Sequence, residues 1–174
     1  MRLLRSAGLL ASVPIVIARN RLVVVASTRL EPALASVADL ARPGLRLAAA
    51  EPSVPIGAYA LQSLDAMSRS PSVPANFRER VERNIVTREA NVRQIVAKVE
   101  LGEADAAIVY ASDAVASPGL RVLEIPGEFN VEARYTAAVL RSAPNPTLAQ
   151  RFVDHLTSDE GQQVLERWGF MRAQ

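Results

Sequence analysis

An α/β fold with a largely parallel sheet is predicted by three features of the 174-residue sequence. Short β-branched or apolar runs such as Leu22-Val-Val-Val-Ala26 alternate along the chain with segments of helical periodicity. Capping and stop residues stand where those helices should begin and end. The stretch Asn91–Asp113 then reads as one complete helix–turn–strand unit.

In that unit Asn91 occupies an N-cap position, and Ile95, Val96 and Val99 form an apolar stripe at helical spacing. Gly102 is placed to stop the helix, and Ala106–Val109 is an apolar run of strand length. Tyr110 follows at the carboxyl end of that strand, the edge at which open α/β sheets bind ligands.

The remaining elements follow in order. Met1–Leu10 reads as a short helix ending near Gly8, and Val16–Ala26 as strand. Val37–Ala41 is a helical turn closed by Pro43-Gly44, and Leu45–Ala50 is the next strand. Pro52 and Pro55 stiffen a loop before the helix Gly57–Met67. A helix over Phe77–Arg83 and a short strand over Asn84–Val86 lead into the Asn91 unit. Leu120–Ile125 and Ala133–Leu140 read as strands, and Pro146–Leu156 and Ser158–Trp168 as helices. Thr157-Ser-Asp-Glu160 has the capping-box form, and Trp168 and Phe170 are expected to anchor the last helix in a core.

Composition narrows the function classes. Half the residues are apolar (49%) and 22% are charged, as in ordinary globular domains. The net charge is only +2, and the 20 basic residues are scattered rather than interleaved with aromatics, so no nucleic-acid partner is expected. The absence of cysteine excludes disulfides, thiol nucleophiles and iron–sulfur clusters. His155 is the single histidine and reads as a surface or packing residue, so no metal site, cofactor or catalytic nucleophile–base pair is expected. Arg2 and Arg5 ahead of Ala7–Ala18 have the outline of a secretory signal, but Pro14 interrupts the run and no A-x-A-like cleavage site follows. Arg19 cuts the same run too early for a membrane span.

Two helix starts directly follow strands. One is Ile56-Gly57, after the strand ending at Ala50; the other is Asn91-Val92-Arg93. Helix starts carry N–H groups without intrahelical partners and the positive end of the helix dipole, so both suit an anion. Glycine at position 57 leaves room for close backbone approach. With the Tyr110 hydroxyl, these groups could surround one oxyanion, at roughly 1.5–3 kcal/mol per hydrogen bond to a charged partner. The same pattern also fits a strand–helix join that binds nothing, packing tyrosines at 59 and 110, a plain cap at Asn91 and a solvated Arg93.

Several segments resemble the periplasmic molybdate-binding proteins of ABC transporters. They are Ala18–Val25, Leu40–Gly44, Glu51–Tyr59, Glu89–Gln94, Gly102–Asp113, Ser158–Gln162 and Trp168–Phe170, in family order over nearly the whole chain. The resemblance implies a periplasmic-binding-protein type II-like fold of two α/β lobes that bind molybdate or tungstate. It implies ligand contacts from the backbone N–H of Ile56 and Val92 and from the Tyr110 hydroxyl, with Gly57, Asn91 and Arg93 around them. The carboxylate positions of an archaeal tungstate branch correspond to Val54 and Val109. By the same resemblance residues 23–138 form a complete second lobe, while 1–22 and 139–174 are remnants of the first. The chain is expected to start inside that first lobe, without its two serine-bearing ligand loops. An ABC-transporter membrane permease is the implied partner, the compartment is periplasmic or extracellular, and the incomplete lobe suggests self-association. The alternative is the effector-binding module of a transcription regulator with the same architecture.

Overall fold

Where the sequence reading has one strand over Val16–Ala26, the backbone forms two. β1 (Ile15–Asn20) and β2 (Leu22–Ser27) part at Arg21 and enter different sheets. The computed structural model describes residues 1–174, the side chain of Arg2 excepted. The chain divides into one unit of Arg21–Glu132 and another of Met1–Asn20 with Ala133–Gln174. These divisions differ from the expected 22/23 and 138/139 because strand pairing decides them. β7 (Ala133–Ala137) pairs antiparallel with β1, so it leaves the central segment and joins the chain ends.

In the Arg21–Glu132 unit, β2 shares a five-stranded sheet with β3 (Leu47–Ala50), β4 (Ile85–Glu89), β5 (Ala106–Tyr110) and β6 (Leu120–Glu124). The order is β4-β3-β5-β2-β6. β3 is parallel to β4 and β5, while β2 is antiparallel to β5 and β6. Four strands therefore run one way and β2 alone runs the other. The parallel direction is enforced by helical crossovers. α2 (Pro55–Met67) and α3 (Phe77–Arg83) link β3 to β4, and α4 (Val92–Glu100) links β4 to β5.

β2 is buried along Leu22–Ala26, as its unbroken apolar run requires for a strand covered on both faces. The same core cluster holds Leu40, Met67, Phe77, Ile95, Val99 and Val109, all fully buried. Burying a side chain such as Ile95 contributes roughly 1.5–3 kcal/mol. Helix α4 forms as its spacing predicts: Ile95, Val96 and Val99 face inward, and the Asn91 side chain accepts the Gln94 N–H at 3.1 Å. Its far end closes with Gly102 at φ 76°, where the Gly102 N–H donates to Val99 O and the Glu103 N–H to Lys98 O. That is the Schellman pattern, in which a residue without Cβ adopts the left-handed conformation most easily.

In the other unit, α1 (Arg2–Ser6), α6 (Pro146–Thr157) and α7 (Asp159–Arg167) accompany the two-stranded sheet. The cap of α7 is Ser158, whose hydroxyl accepts the Gly161 N–H, so the capping-box reading is one residue early. Gly161 is needed for a second reason: a Cβ there would lie 2.1 Å from the His155 carbonyl oxygen. Gln162 is buried and donates to Ile17 O and Leu156 O while accepting the Ala173 N–H. The Ser-x-Glu-Gly-Gln tail thus works as a structural joint within this unit. The expected core anchor Trp168 is 57% exposed, and Phe170 is half-buried with its ring edge-on to Tyr135 at 5.4 Å. His155 is exposed. Among the described residues no helix is long and apolar enough to cross a membrane.

Candidate functional site

The carboxyl ends of β4, β3 and β5 lie side by side on one edge of the sheet. Ala50 pairs with Glu89 across β3 and β4, and Ala48 with Ala107 across β3 and β5. Neighbouring strands are about 4.8 Å apart, so the three strand ends span roughly 10 Å. Each end runs into a helix: β3 into α2, β4 into α4, and β5 into α5 (Ala111–Val115). Because α4 runs back across the sheet before β5 returns, the start of α4 and the end of β5 meet at this edge. Ile56, Gly57, Asn91, Val92, Arg93 and Tyr110 are all brought to it.

At the start of α2 the N-cap is Val54, whose side chain has no acceptor, and Pro55 at the first position has no N–H. The N–H groups of Ile56 and Gly57 follow, with no partner inside the helix. At the start of α4 the Asn91 side chain is committed: it accepts the Gln94 N–H and donates to the Gln94 side-chain oxygen at 3.0 Å. The Val92 and Arg93 N–H groups remain for the edge. Asn91 is therefore a cap, and the Arg93 side chain is exposed.

Gly57 departs from the expected role. Its Cβ position lies 2.1 Å from the Glu51 carbonyl oxygen and 3.2 Å from that of Ala50. The close approach it permits is between α2 and its own preceding loop. That approach draws the helix start down onto the end of β3.

Tyr110 is half-buried, pairs with Leu22 in the β2–β5 ladder and serves as the N-cap residue of α5. Its backbone N–H donates to Asp113 Oδ2 at 3.3 Å. Burial pushes the Asp113 carboxyl above the usual carboxylate range, opposed by the Tyr110 hydrogen bond and the positive charge of Arg93. Next to it the Ala111 N–H donates to Arg21 O at 3.0 Å, and the Arg21 guanidinium forms a two-pronged ion pair with Glu124. Negative side chains also stand at the other strand ends. Glu89 accepts the Thr87 hydroxyl at 2.7 Å, and Glu51 is exposed.

The sequence reading misses α5, Asp113 and Asn130. The signal for α5 was present in an acidic residue three positions after Tyr110, the spacing at which a side chain reaches back to an N-cap N–H. Asn130 carried no such signal. It accepts the Leu22 N–H and donates to Leu22 O, both at 2.8 Å, and to Ile125 O at 3.2 Å. The β2–β6 pairing begins at Val23, so this side chain takes the place of a further β6 residue. Among the described residues no group of three acidic or histidine side chains is arranged to hold a metal ion.

Comparison with known proteins identifies the family of the chain. A family model described as bacterial extracellular solute-binding protein matches residues 1–171. The chain belongs to that solute-binding family. The molybdate-binding protein ModA of Mycobacterium tuberculosis is 34% identical over 167 residues, 95% of this chain and 59% of the relative. The chain thus spans about 59% of the length of that relative. Among solved structures, the substrate-binding domain of a putative molybdenum ABC transporter from Clostridium difficile superposes with TM-score 0.78 at 26% identity, over 99% of this chain and 72% of that one. The periplasmic molybdate-binding protein of Azotobacter vinelandii superposes with TM-score 0.79 at 18% identity, over 99% of this chain and 74% of that one, and supports the fold.

Proposed function

We propose that this chain carries one wall of an oxyanion site and belongs to a solute-binding protein that captures molybdate or tungstate for an ABC transporter. The reading rests on one observation: two strand-to-helix starts and the strand-end Tyr110 lie together at the carboxyl edge of three adjacent parallel strands. Ile56 and Val92 contribute backbone N–H groups and Tyr110 its hydroxyl, with the N–H groups of Gly57 and Arg93 beside them. All these donors are neutral. A tetrahedral dianion is held by their dipoles and by the two helix ends. The opposite wall, which the family resemblance assigns to serine-bearing loops, comes from length of the relatives that this chain does not span. The compartment on this reading is the periplasm or cell exterior, and the partner is the membrane permease. The mechanism is recognition and release, with no bond made or broken. The transcription-regulator alternative is not favoured, because the family model spanning the chain is that of extracellular solute-binding proteins.

Titration calorimetry on the chain extended to the length of its relatives tests the reading. Molybdate or tungstate should give saturable heat, and Tyr110→Phe should weaken binding by about tenfold or more, as loss of one hydrogen bond to a charged partner requires. No heat with either anion overturns it. Self-association is a further part of the proposal, supported by Leu3, Val13, Leu148, Phe152 and Trp168, all more than half exposed in one unit. Sedimentation velocity of the chain tests it, and a monomer at all concentrations refutes it.

A further inference from the structure

We propose that Asp113 is a positioning residue of the oxyanion edge, holding the junction between β5 and α5 so that the Tyr110 hydroxyl stays at the ligand. The proposal rests on the oxyanion reading above and adds a residue to it.

Helix α5 is short. Five residues form barely more than one turn, and a helix of that length has no stability of its own in water. Its start must be fixed by something other than its own hydrogen bonds. Two contacts fix it. The Ala111 N–H reaches Arg21 O at 3.0 Å, which ties the junction to the entry of β2. The Asp113 carboxylate accepts the Tyr110 N–H at 3.3 Å, which ties the first turn of α5 back onto the last residue of β5. Tyr110 is at φ −78° and ψ 153°, the extended geometry of a residue entering a helix. The direction of its phenol is set by this backbone, so freedom at the junction becomes displacement of the hydroxyl.

A carboxylate is a costly choice here. It stands half-buried beside a site for a dianion and would repel the ligand. The positive charge of Arg93, at the start of α4, partly offsets the effect of burial on that carboxylate. The pair places both charges at the edge while leaving the donors to the ligand neutral. Anchoring and charge can therefore be separated by substitution. Asparagine keeps an acceptor oxygen at position 113 and removes the negative charge; alanine removes both.

The test measures two quantities on the chain extended to the length of its relatives, as wild type, Asp113→Asn, Asp113→Ala and Arg93→Gln. The first is the molybdate dissociation constant by calorimetry at two ionic strengths. The second is the hydrogen-exchange rate of the Tyr110 amide and the NMR linewidth of its ring, without ligand. Asp113→Ala should weaken molybdate binding about tenfold or more and speed Tyr110 amide exchange by a similar factor, the scale of one charge-assisted hydrogen bond. Asp113→Asn should restore both and bind molybdate at least as tightly as wild type, with the gain shrinking at high salt. Arg93→Gln should weaken binding at low salt and leave Tyr110 exchange unchanged. The proposal is overturned if the alanine variant exchanges and binds like wild type, or if asparagine fails as alanine does. If wild type takes up no oxyanion, the functional reading fails. The Tyr110 exchange and ring data then still decide whether Asp113 holds the junction.

Discussion

Replacing Asn130 with alanine should destabilise the Arg21–Glu132 unit by about 2–4 kcal/mol, well above the effect of most half-buried polar substitutions. The Asn130 side chain makes three hydrogen bonds, to Leu22 N–H, Leu22 O and Ile125 O. Leu22 is fully buried and Ile125 is 3% exposed, so the orphaned groups have little access to water. A buried group left without its partner costs roughly 1–3 kcal/mol, and three such groups set an upper limit near 9 kcal/mol. Asn130 itself is half-buried, so water replaces part of the lost bonding and brings the expected value down. Urea unfolding followed by far-UV circular dichroism measures the change, and an unchanged m-value shows that the native state is still compact. Asn130→Asp provides the control. It keeps the acceptor for the Leu22 N–H, loses both donors and places two carbonyls against a carboxylate, so it should be at least as damaging. A loss below about 0.5 kcal/mol for the alanine variant would refute the view that this side chain completes the β2 edge, since that is the range of ordinary surface changes. Leu22 pairs with Tyr110, so the same variant should also speed exchange of the Tyr110 amide.

Three further outcomes are expected. Gly57→Ala should destabilise the protein by about 1–3 kcal/mol and lower its thermal midpoint, because the new methyl meets the Glu51 carbonyl at 2.1 Å and backbone must shift; a neutral result would show that α2 moves freely over its loop. Asp105 is part-buried; burial alone would raise its carboxyl, but hydrogen bonds from the Arg46 side chain and backbone, with the charges of Arg46 and Arg42, hold it below its usual value. A depressed carboxyl stabilises the fold above the unfolded value, about 3.9, and that contribution disappears as pH falls through the folded value. Asp105→Asn should therefore lose stability at pH 7 and show a shallower decline between pH 5 and pH 2 in parallel urea titrations. Ser63 is fully buried in α2, and its hydroxyl has no hydrogen-bond partner among the described residues. Ser63→Ala should consequently be neutral or stabilising by up to about 1 kcal/mol, and a clear loss of stability would reveal a partner for that hydroxyl.

Local chemistry was enough to read α4 and its cap, the buried β2, the α3 span and the end of β5 from the sequence. Each depends on contacts within a few residues: Asn91 with Gln94, Gly102 with the last turn of α4, and apolar spacing along one helix. The position of Tyr110 at a strand end was legible for the same reason. Arg21 as a break between two strands was not, because Val16–Ala26 has uniform β propensity and only pairing with β7 on one side and β5 on the other separates it. Trp168 looked like an anchor by type alone, yet its exposure depends on what stands opposite it. Gly57 showed its purpose only once the Glu51 carbonyl was seen against it.

The sequence by itself determined most of the elements, their order, and that two helix starts and the Tyr110 hydroxyl follow strand ends, since capping, periodicity and turn chemistry act over short range. The tertiary structure alone decided that β2 runs against its neighbours, that Asn130 closes the β2 edge from 108 residues away, and that the charge of Arg93 on α4 acts on Asp113 after β5. These are matters of strand register and long-range approach, set by how separate segments share one core rather than by any single segment's preference.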